Sequence, residues 1–266
     1  MSGPYKSTQA KPNQQSLIKP AELIDVVELT PLQLIDRRTF NLMLGEAWED
    51  IGEDVEHSIP KNELTANHRE KQRLSDSIER LMGALVKIKL QRDGQTYTQT
   101  FHLLEQVDEP ERSDGKVYYR FPRLLRKVIT DSSIFARLQK DVMHQLSSKY
   151  SLALYEMIQR RGNMSKQWTE TFTLDDLRSL LGVADGKLSA YKNFKAKAIK
   201  PAVEEVNGLS DFGVAFFETK KGKTVTHVTI GWNKKSMAEL KASFKELRSS
   251  RIGRRSRLKG NEEQIV

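Results

Sequence analysis

The sequence contains no cysteine, which excludes disulfide bonds and thiolate metal ligands and is typical of a reducing compartment. It has no run of about 18 apolar residues, so we expect no membrane-spanning helix. Residues 1–16 lack the apolar core of a secretion signal. Together these absences predict a cytoplasmic protein that has no membrane partner.

Motifs for catalysis and cofactor binding are also missing. The five histidines show no two-histidine metal spacing, and no His-x-His motif precedes a nucleophilic tyrosine. The sequence has no GxxxxGK(S/T) loop for nucleotide phosphates. Its adjacent acidic pairs are of the kind common on protein surfaces. We therefore expect no enzymatic activity, no cofactor and no metal site.

Positive charge is abundant but unevenly distributed. The formal net charge is +9. Residues 1–130 contain 19 basic and 20 acidic residues, residues 131–240 contain 17 and 12, and residues 241–266 contain 8 and 3. The basic excess therefore belongs to the second half of the chain. It favours an acidic partner such as nucleic acid over a role in solubility alone.

The clearest pattern of elements lies in residues 189–232. A lysine-rich helix is followed by two alternating strands, which the turn TKKGK joins. This order is typical of a winged helix, in which a helix enters the DNA major groove and a hairpin, the wing, lies on the phosphates.

The first half predicts the same order of elements more weakly. A capping box of Thr30 and Gln33 predicts a helix start, and the spacing of apolar residues predicts a second helix over 68–82. Alternating runs on either side of Asp93-Gly94 predict a hairpin, and residues 116–121 predict a third strand.

The repeated order predicts an α+β protein with two tandem winged-helix domains, residues 29–130 and 131–240. A long helical connector, about residues 123–150 and broken near Ser147-Ser148, would join them. Residues 1–28 are polar and proline-containing, which predicts a disordered tail. Residues 241–266 predict a helix that frays into a basic tail.

The helix in the second domain has a clear apolar face. Phe194, Ala198, Ala202 and Val206 recur every four residues. Pro201 lacks a backbone donor, so it predicts either a kink or the start of a new helix.

The remaining side chains of this region are candidate DNA contacts. The first turns of a recognition helix reach the bases, where Asn can pair with adenine and Lys can donate to guanine or to phosphate. A solvated amphipathic helix is the simpler alternative, although a plain hairpin turn does not need three lysines. The candidates on the helix are Tyr191, Lys192, Asn193, Lys195, Lys197 and Lys200, and those on the wing are Lys220, Lys221 and Lys223.

In the first domain, DNA contact and ordinary surface charge are equally good interpretations. Glu70 and Asp76 dilute the basic charge at the start of the second helix. Arginine is the commonest reader of guanine, so two arginines are the leading choices there. The candidates are Arg69, Lys71, Gln72 and Arg73 on the helix and Arg92 on the hairpin.

Four segments carry a resemblance to a known family. KYSLALYEMIQRRG, FTLDDLRSLLGV, YKNFKAKAIKPAVEEVN and KKGKTVTHVTIGW, in that order and spacing, closely resemble the second winged helix of Rep-type plasmid replication initiators. They cover about residues 149–232. Residues 29–121 are similar to the first winged helix of this family in the order of elements, but more loosely in sequence.

The resemblance implies a sequence-specific double-stranded DNA-binding protein that initiates plasmid replication. It implies monomers on direct repeats called iterons, and dimers that repress the protein's own promoter through an inverted repeat. It further implies dimerisation through the first domain, and recruitment of the host replication initiator and the replicative helicase. A winged-helix transcriptional repressor and a protein-interaction module that binds no DNA are the alternatives.

Overall fold

A computed structural model describes residues 6–64, 73–112, 114–162 and 167–260. The chain divides into two compact units, Met1–Lys140 and Asp141–Val266. The helices of the first unit are α1 (Ala21–Ile24), α2 (Leu34–Glu46), α3 (Leu74–Met82) and α4 (Arg123–Asp131), and α5 (Lys140–Gln145) begins at its last residue. Its strands are β1 (Ser16–Pro20), β2 (Val27–Glu28), β3 (His57–Pro60), β4 (Leu85–Arg92), β5 (Gln95–His102), β6 (Gln106–Asp108), β7 (Lys116–Arg120) and β8 (Phe135–Gln139).

In the second unit, one continuous helical run, α8, consists of three consecutive segments: Tyr191–Phe194, Lys195–Ile199 and Lys200–Leu209. The other helices are α6 (Lys149–Arg161), α7 (Leu174–Leu180), α9 (Met237–Arg248) and α10 (Arg254–Gly260). The strands are β9 (Thr169–Thr173), β10 (Phe212–Lys221) and β11 (Thr224–Lys234).

The N-terminal segment is ordered rather than disordered. Strand β1 pairs antiparallel with β8, with Leu17 opposite Leu138, and both side chains are fully buried. The prediction of a disordered tail over 1–28 is therefore wrong for β1 and α1, while residues 1–5 lie outside the described residues. Pairing supplies backbone partners that the polar composition did not reveal.

Helix α2 begins later than its sequence suggests. Gln33 is its N-cap residue, and the backbone N–H of Gln33 donates to Asp36 Oδ2 at 2.8 Å. Asp36 also accepts from Arg80 of α3, at 2.9 Å from Nε and 2.8 Å from Nη2. The Thr30 hydroxyl instead accepts the N–H of Leu85 at 3.2 Å, so the predicted Thr30–Gln33 capping box is wrong.

The hairpin predicted at Asp93-Gly94 is confirmed as β4–β5, with both turn residues at positive φ. Its third strand is β2, which pairs with β4. The strand predicted at 116–121 is also present as β7. It joins a different sheet, however, between β3 and β6.

Residues 123–150 do not form one long helical connector. Strand β8 lies between α4 and α5 and completes the pairing with β1. The predicted break near Ser147-Ser148 is present: α5 ends at Gln145 and α6 begins at Lys149. The Ser148 hydroxyl accepts the N–H of Ser151 at 3.0 Å and caps α6.

The second unit contains helices α6, α7 and α8 and the sheet β10-β11-β9, whose long hairpin β10–β11 follows α8 in the chain. Apolar residues of α6 and α8 are almost fully buried, among them Leu152, Tyr155, Phe194 and Val206. This helix order, followed by a long hairpin, is the predicted winged-helix arrangement.

The chain beyond the hairpin is folded as well. Helix α9 begins at a capping box, in which Ser236 and Glu239 bind each other's backbone N–H groups. In α10, Arg254 and Leu258 are only 5% and 4% exposed. The prediction that residues 241–266 fray into a tail is wrong through Gly260.

None of the described helices is long and apolar enough to cross a membrane.

Candidate nucleic-acid interface

The entry to α8 is fixed by a single arginine. Arg178 on α7 donates from Nη2 to the carbonyl of Ser189 at 2.7 Å and from Nε to that of Leu188 at 3.4 Å. Its guanidinium lies 5.0 Å from the centre of the Phe194 ring, within range of a cation–π interaction. These contacts set where the helix starts.

The buried face of α8 is the predicted one. Phe194, Ala198, Ala202 and Val206 are all fully buried. A π-helical segment, Lys195–Ile199, precedes Pro201, and the N–H of Lys200 donates to the carbonyl of Lys195, five residues back. This wider turn accommodates the proline without ending the helical run. Pro201 stands in the first turn of the next segment, where its missing N–H costs little.

The opposite face of α8 carries polar and basic side chains. Lys192, Asn193, Lys197 and Lys200 are exposed. Lys200 Nζ lies 4.0 Å from Glu204, which is almost fully buried. The remaining three lie on the leading half of the run, where a recognition helix contacts bases.

The hairpin is attached to α8 through one asparagine. The Asn207 side chain donates to the carbonyl of Val214 at 2.7 Å and accepts the N–H of Val214 at 2.6 Å. A side-chain amide that satisfies both backbone groups of one residue fixes strand β10 against the helix.

Two candidate contacts, Tyr191 and Lys195, point towards the hairpin. Tyr191 donates its hydroxyl to Glu218 Oε1 at 2.9 Å, and Lys195 Nζ lies 2.6 Å from the same oxygen. The hydrogen bond from Lys195 holds the pKa of Glu218 below its ordinary value. Burial, followed by the bond to Glu218, raises the pKa of Tyr191. This cluster connects the start of α8 to the wing.

The wing presents its lysines to solvent. Lys220, Lys221 and Lys223 are all exposed, and Gly222 between them has a φ of 62°. The strand register shifts between Thr219 and Lys220. Lys220 Nζ lies 3.8 Å from Glu218 Oε2, a separation typical of a weak surface ion pair. All three ammonium groups can therefore reach an external phosphate.

The candidates of the first unit are less completely defined. Arg73 is exposed and directly precedes α3. Arg92 is the last residue of β4, paired with Gln95 across the turn. Arg69, Lys71 and Gln72 lie outside the described residues.

Three residues that organise this surface were not predicted: Arg178, Asn207 and Glu218. For Arg178, the sequence signal is its position three residues after Asp175, in the last turn of a capped helix. Glu218 is the only acidic residue in the sequence of an otherwise neutral and basic hairpin. Among the described residues, no group of three or more His, Asp or Glu side chains could hold a metal ion.

Two family models match the chain. The model described as "Initiator Replication protein, WH1" matches residues 16–159. The model described as "Initiator Rep protein, WH2" matches residues 173–232, which contain α8 and the wing. A comparison with curated protein sequences gave no significant match.

The solved structures that are similar to parts of this chain include two from RctB and MSBI1.176. Domains 2 and 3 of RctB are 10% identical, with 84% of this chain and 94% of that chain covered, at a TM-score of 0.45. The WH1 domain of MSBI1.176, a replication protein isolated from a multiple sclerosis patient, is 18% identical. The match covers 38% of this chain and 81% of that chain, at a TM-score of 0.31.

Proposed function

This chain belongs to the family of plasmid replication initiator (Rep) proteins, and we propose that it initiates replication by binding direct repeats at the plasmid origin. The family assignment gives two winged-helix domains, DNA binding and a part in replication initiation. The specific target, the contact residues and the oligomeric state are our proposals.

The observation that carries the proposal is the exposed face of α8. Lys192, Asn193 and Lys197 project from a helix whose other face is buried in the second unit. An asparagine can pair bidentately with adenine, and a lysine can donate to guanine or to phosphate. We assign Lys192 and Asn193 to the base edges of the major groove, and Lys197 to the phosphates that border it.

The wing and its link to the helix complete the contact surface. Lys220, Lys221 and Lys223 bind backbone phosphates, which adds affinity without adding sequence preference. Lys195 and Tyr191 act mainly through Glu218, because their polar groups are already bound to it. Their role is to hold the leading turn of α8 and the wing at a fixed separation.

The first unit also has a winged-helix hairpin, β4–β5. We propose that the winged helix of this unit enters a neighbouring major groove. Arg73 and Arg92 supply its contacts among the described candidates. Its lower positive charge also suits a surface that pairs with a second copy of the chain. As a dimer on an inverted repeat the protein would repress its own promoter, and as a monomer on iterons it would recruit the host initiator and the helicase.

Selection of bound duplexes from a random pool tests this function. Recovery of direct repeats spaced by about two helical turns, roughly 20 base pairs, supports the initiator. An isolated inverted repeat as the only selected sequence would favour a transcriptional repressor. No salt-dependent binding to any duplex would favour a module that binds an acidic protein, and would overturn the proposal.

A further inference from the structure

Helix α10 lies outside both matched segments and packs against α8. The side chain of Leu258 contacts Gly208 so closely that a Cβ atom at position 208 would lie 2.1 Å from Leu258 Cδ2. Leu258 itself is only 4% exposed. The fit of a leucine against a glycine fixes the position of α10 on the second unit.

Charged side chains in this helix and just before it also hold it in place. Arg254 donates from Nε to Glu246 Oε1 at 3.0 Å and from Nη1 to Gln145 Oε1 at 2.8 Å. Arg257 donates to both oxygens of Glu246, at 2.8 and 2.6 Å, and Arg251 donates to Gln145 Oε1 at 3.0 Å. All three arginines therefore donate to other residues of the protein. Hydrogen bonds from Arg257 and Arg254 keep the pKa of Glu246 below its ordinary value.

Arg255 is arranged differently. It is exposed, and it has no hydrogen-bond or ion-pair partner within the described part of the chain. It lines a cleft together with Ala196, Lys197 and Pro201, all from α8. Arg255, which has no partner among the described residues, therefore lines the same cleft as Lys197 of the candidate groove-binding face.

Two carboxylates share the cleft, but both are engaged. Glu205 accepts the N–H of Ser147 at 3.0 Å and also binds the Ser147 hydroxyl. The side chain of Glu204 is 3% exposed and lies 4.0 Å from Lys200. Two other arginines of the cleft, Arg251 and Arg254, donate to Gln145. Among the described lining residues, Arg255 and Lys197 are therefore the cations available to an external anion.

We propose that Arg255 and Lys197 together bind one backbone phosphate of the duplex that α8 enters, so that α10 acts as a phosphate clamp beside the recognition helix. The proposal rests on the proposed function of α8 in DNA binding. A guanidinium and an ammonium on one cleft both attract the negative charge of a phosphate, and Arg can contact two of its oxygens. A phosphate contact strengthens binding to every sequence and increases its salt dependence.

The test compares full-length wild type with Arg255→Gln on the selected duplex and on a random duplex. The variant is expected to bind both more weakly by a similar factor, with a salt slope shallower by up to about 0.9, since Lys197 still contacts the phosphate. Arg255→Lys, which keeps the charge, should restore most of the slope. Lys241→Gln is the matched control, because it removes the same charge from an exposed position on α9 outside the cleft.

A second measurement locates the phosphate. Each phosphate of the selected duplex is replaced in turn by an uncharged methylphosphonate. One replacement should weaken wild type clearly more than it weakens Arg255→Gln, which still contacts that phosphate through Lys197. Equal sensitivity of the two proteins at every phosphate, with equal salt slopes, overturns the clamp while leaving the proposed function intact. Absence of wild-type binding to any duplex overturns the proposed function as well.

Discussion

Lys195 on α8 and Glu218 on β10 form an ion pair whose Nζ–Oε1 distance is 2.6 Å. Tyr191 donates to the same carboxylate oxygen, so three side chains join the recognition helix to the wing. The Glu218 side chain is 18% exposed. Partial burial strengthens this cluster relative to a fully exposed pair. The two elements proposed to contact DNA are thereby kept in one arrangement.

Replacing Glu218 by Gln should loosen this link. At neutral pH we expect a loss of about 1 kcal/mol in the free energy of unfolding, because Lys195 loses its charged partner. Specific DNA binding should weaken although no DNA contact is removed. Urea denaturation and duplex titration measure the two effects, with Asp185→Asn as an exposed control in the same unit. Unchanged DNA binding by Glu218→Gln would contradict the positioning role.

The same cluster predicts a dependence on pH. The pKa of Glu218 is lowered in the folded protein, mainly by the hydrogen bond from Lys195. Its stabilising contribution is therefore present above the ordinary carboxyl pKa and is lost as the pH falls through the folded value. Wild type should lose more stability than Glu218→Gln on acidification from about pH 5 to about pH 3. Parallel curves for the two proteins would refute the coupling.

Asn193→Ala should identify a base contact. We expect a loss of about 1–3 kcal/mol on the selected duplex and a smaller loss on random DNA. Lys195→Ala should lose less specificity than Asn193→Ala, because in the wild type the Lys195 ammonium is bound to Glu218. Equilibrium titrations of both variants on both duplexes measure these losses. Equal losses for Asn193→Ala on the two duplexes would assign this residue to phosphate instead.

The wing lysines are expected to act on phosphates alone. Replacing Lys220, Lys221 and Lys223 together by Gln should weaken binding to selected and random duplexes about equally. The salt slope should become shallower by about 0.9 for each phosphate that the variant no longer neutralises. The matched control replaces three other exposed lysines of this unit, namely Lys234, Lys241 and Lys245. A triple wing variant whose salt slope matches wild type would remove the wing from the interface.

Local patterns predicted the elements that lie at the proposed interface. The four-residue spacing from Phe194 to Val206 identified the buried face of α8, and the Asp93-Gly94 turn identified the first hairpin. Both depend on residues close together in the chain. The family resemblance placed both winged helices, and the family models confirm them.

Long-range pairing could not be predicted in this way. Strand β1 is polar at its start and becomes a strand only because β8, more than a hundred residues later, supplies its hydrogen bonds. Gln145 and Arg254 are likewise 109 residues apart, and nothing near either one indicates that they meet. The ordered structure near both chain ends could not be predicted for this reason.

Lys235 provides a test of the junction behind the interface. Its ammonium donates to the carbonyl of Ser210 at 2.8 Å, to Ser243 Oγ at 2.6 Å and also to the carbonyl of Asn207. Lys235→Met removes these bonds and should destabilise the second unit by about 1–3 kcal/mol, because buried acceptors lose their donor. Lys234→Met, at the exposed neighbouring position, is the control and should change little.

The pH dependence of this effect has a definite sign. Burial lowers the pKa of Lys235 from 10.5 to about 8, so between these values the unfolded chain binds the proton more strongly than the folded chain. The contribution of Lys235 to stability should therefore rise with pH across this window and be constant below it. The difference in unfolding free energy between wild type and Lys235→Met, measured from about pH 7 to about pH 10, reports this contribution directly. A difference that stays constant, or falls, as the pH rises would show that the ammonium is not buried as the structure has it.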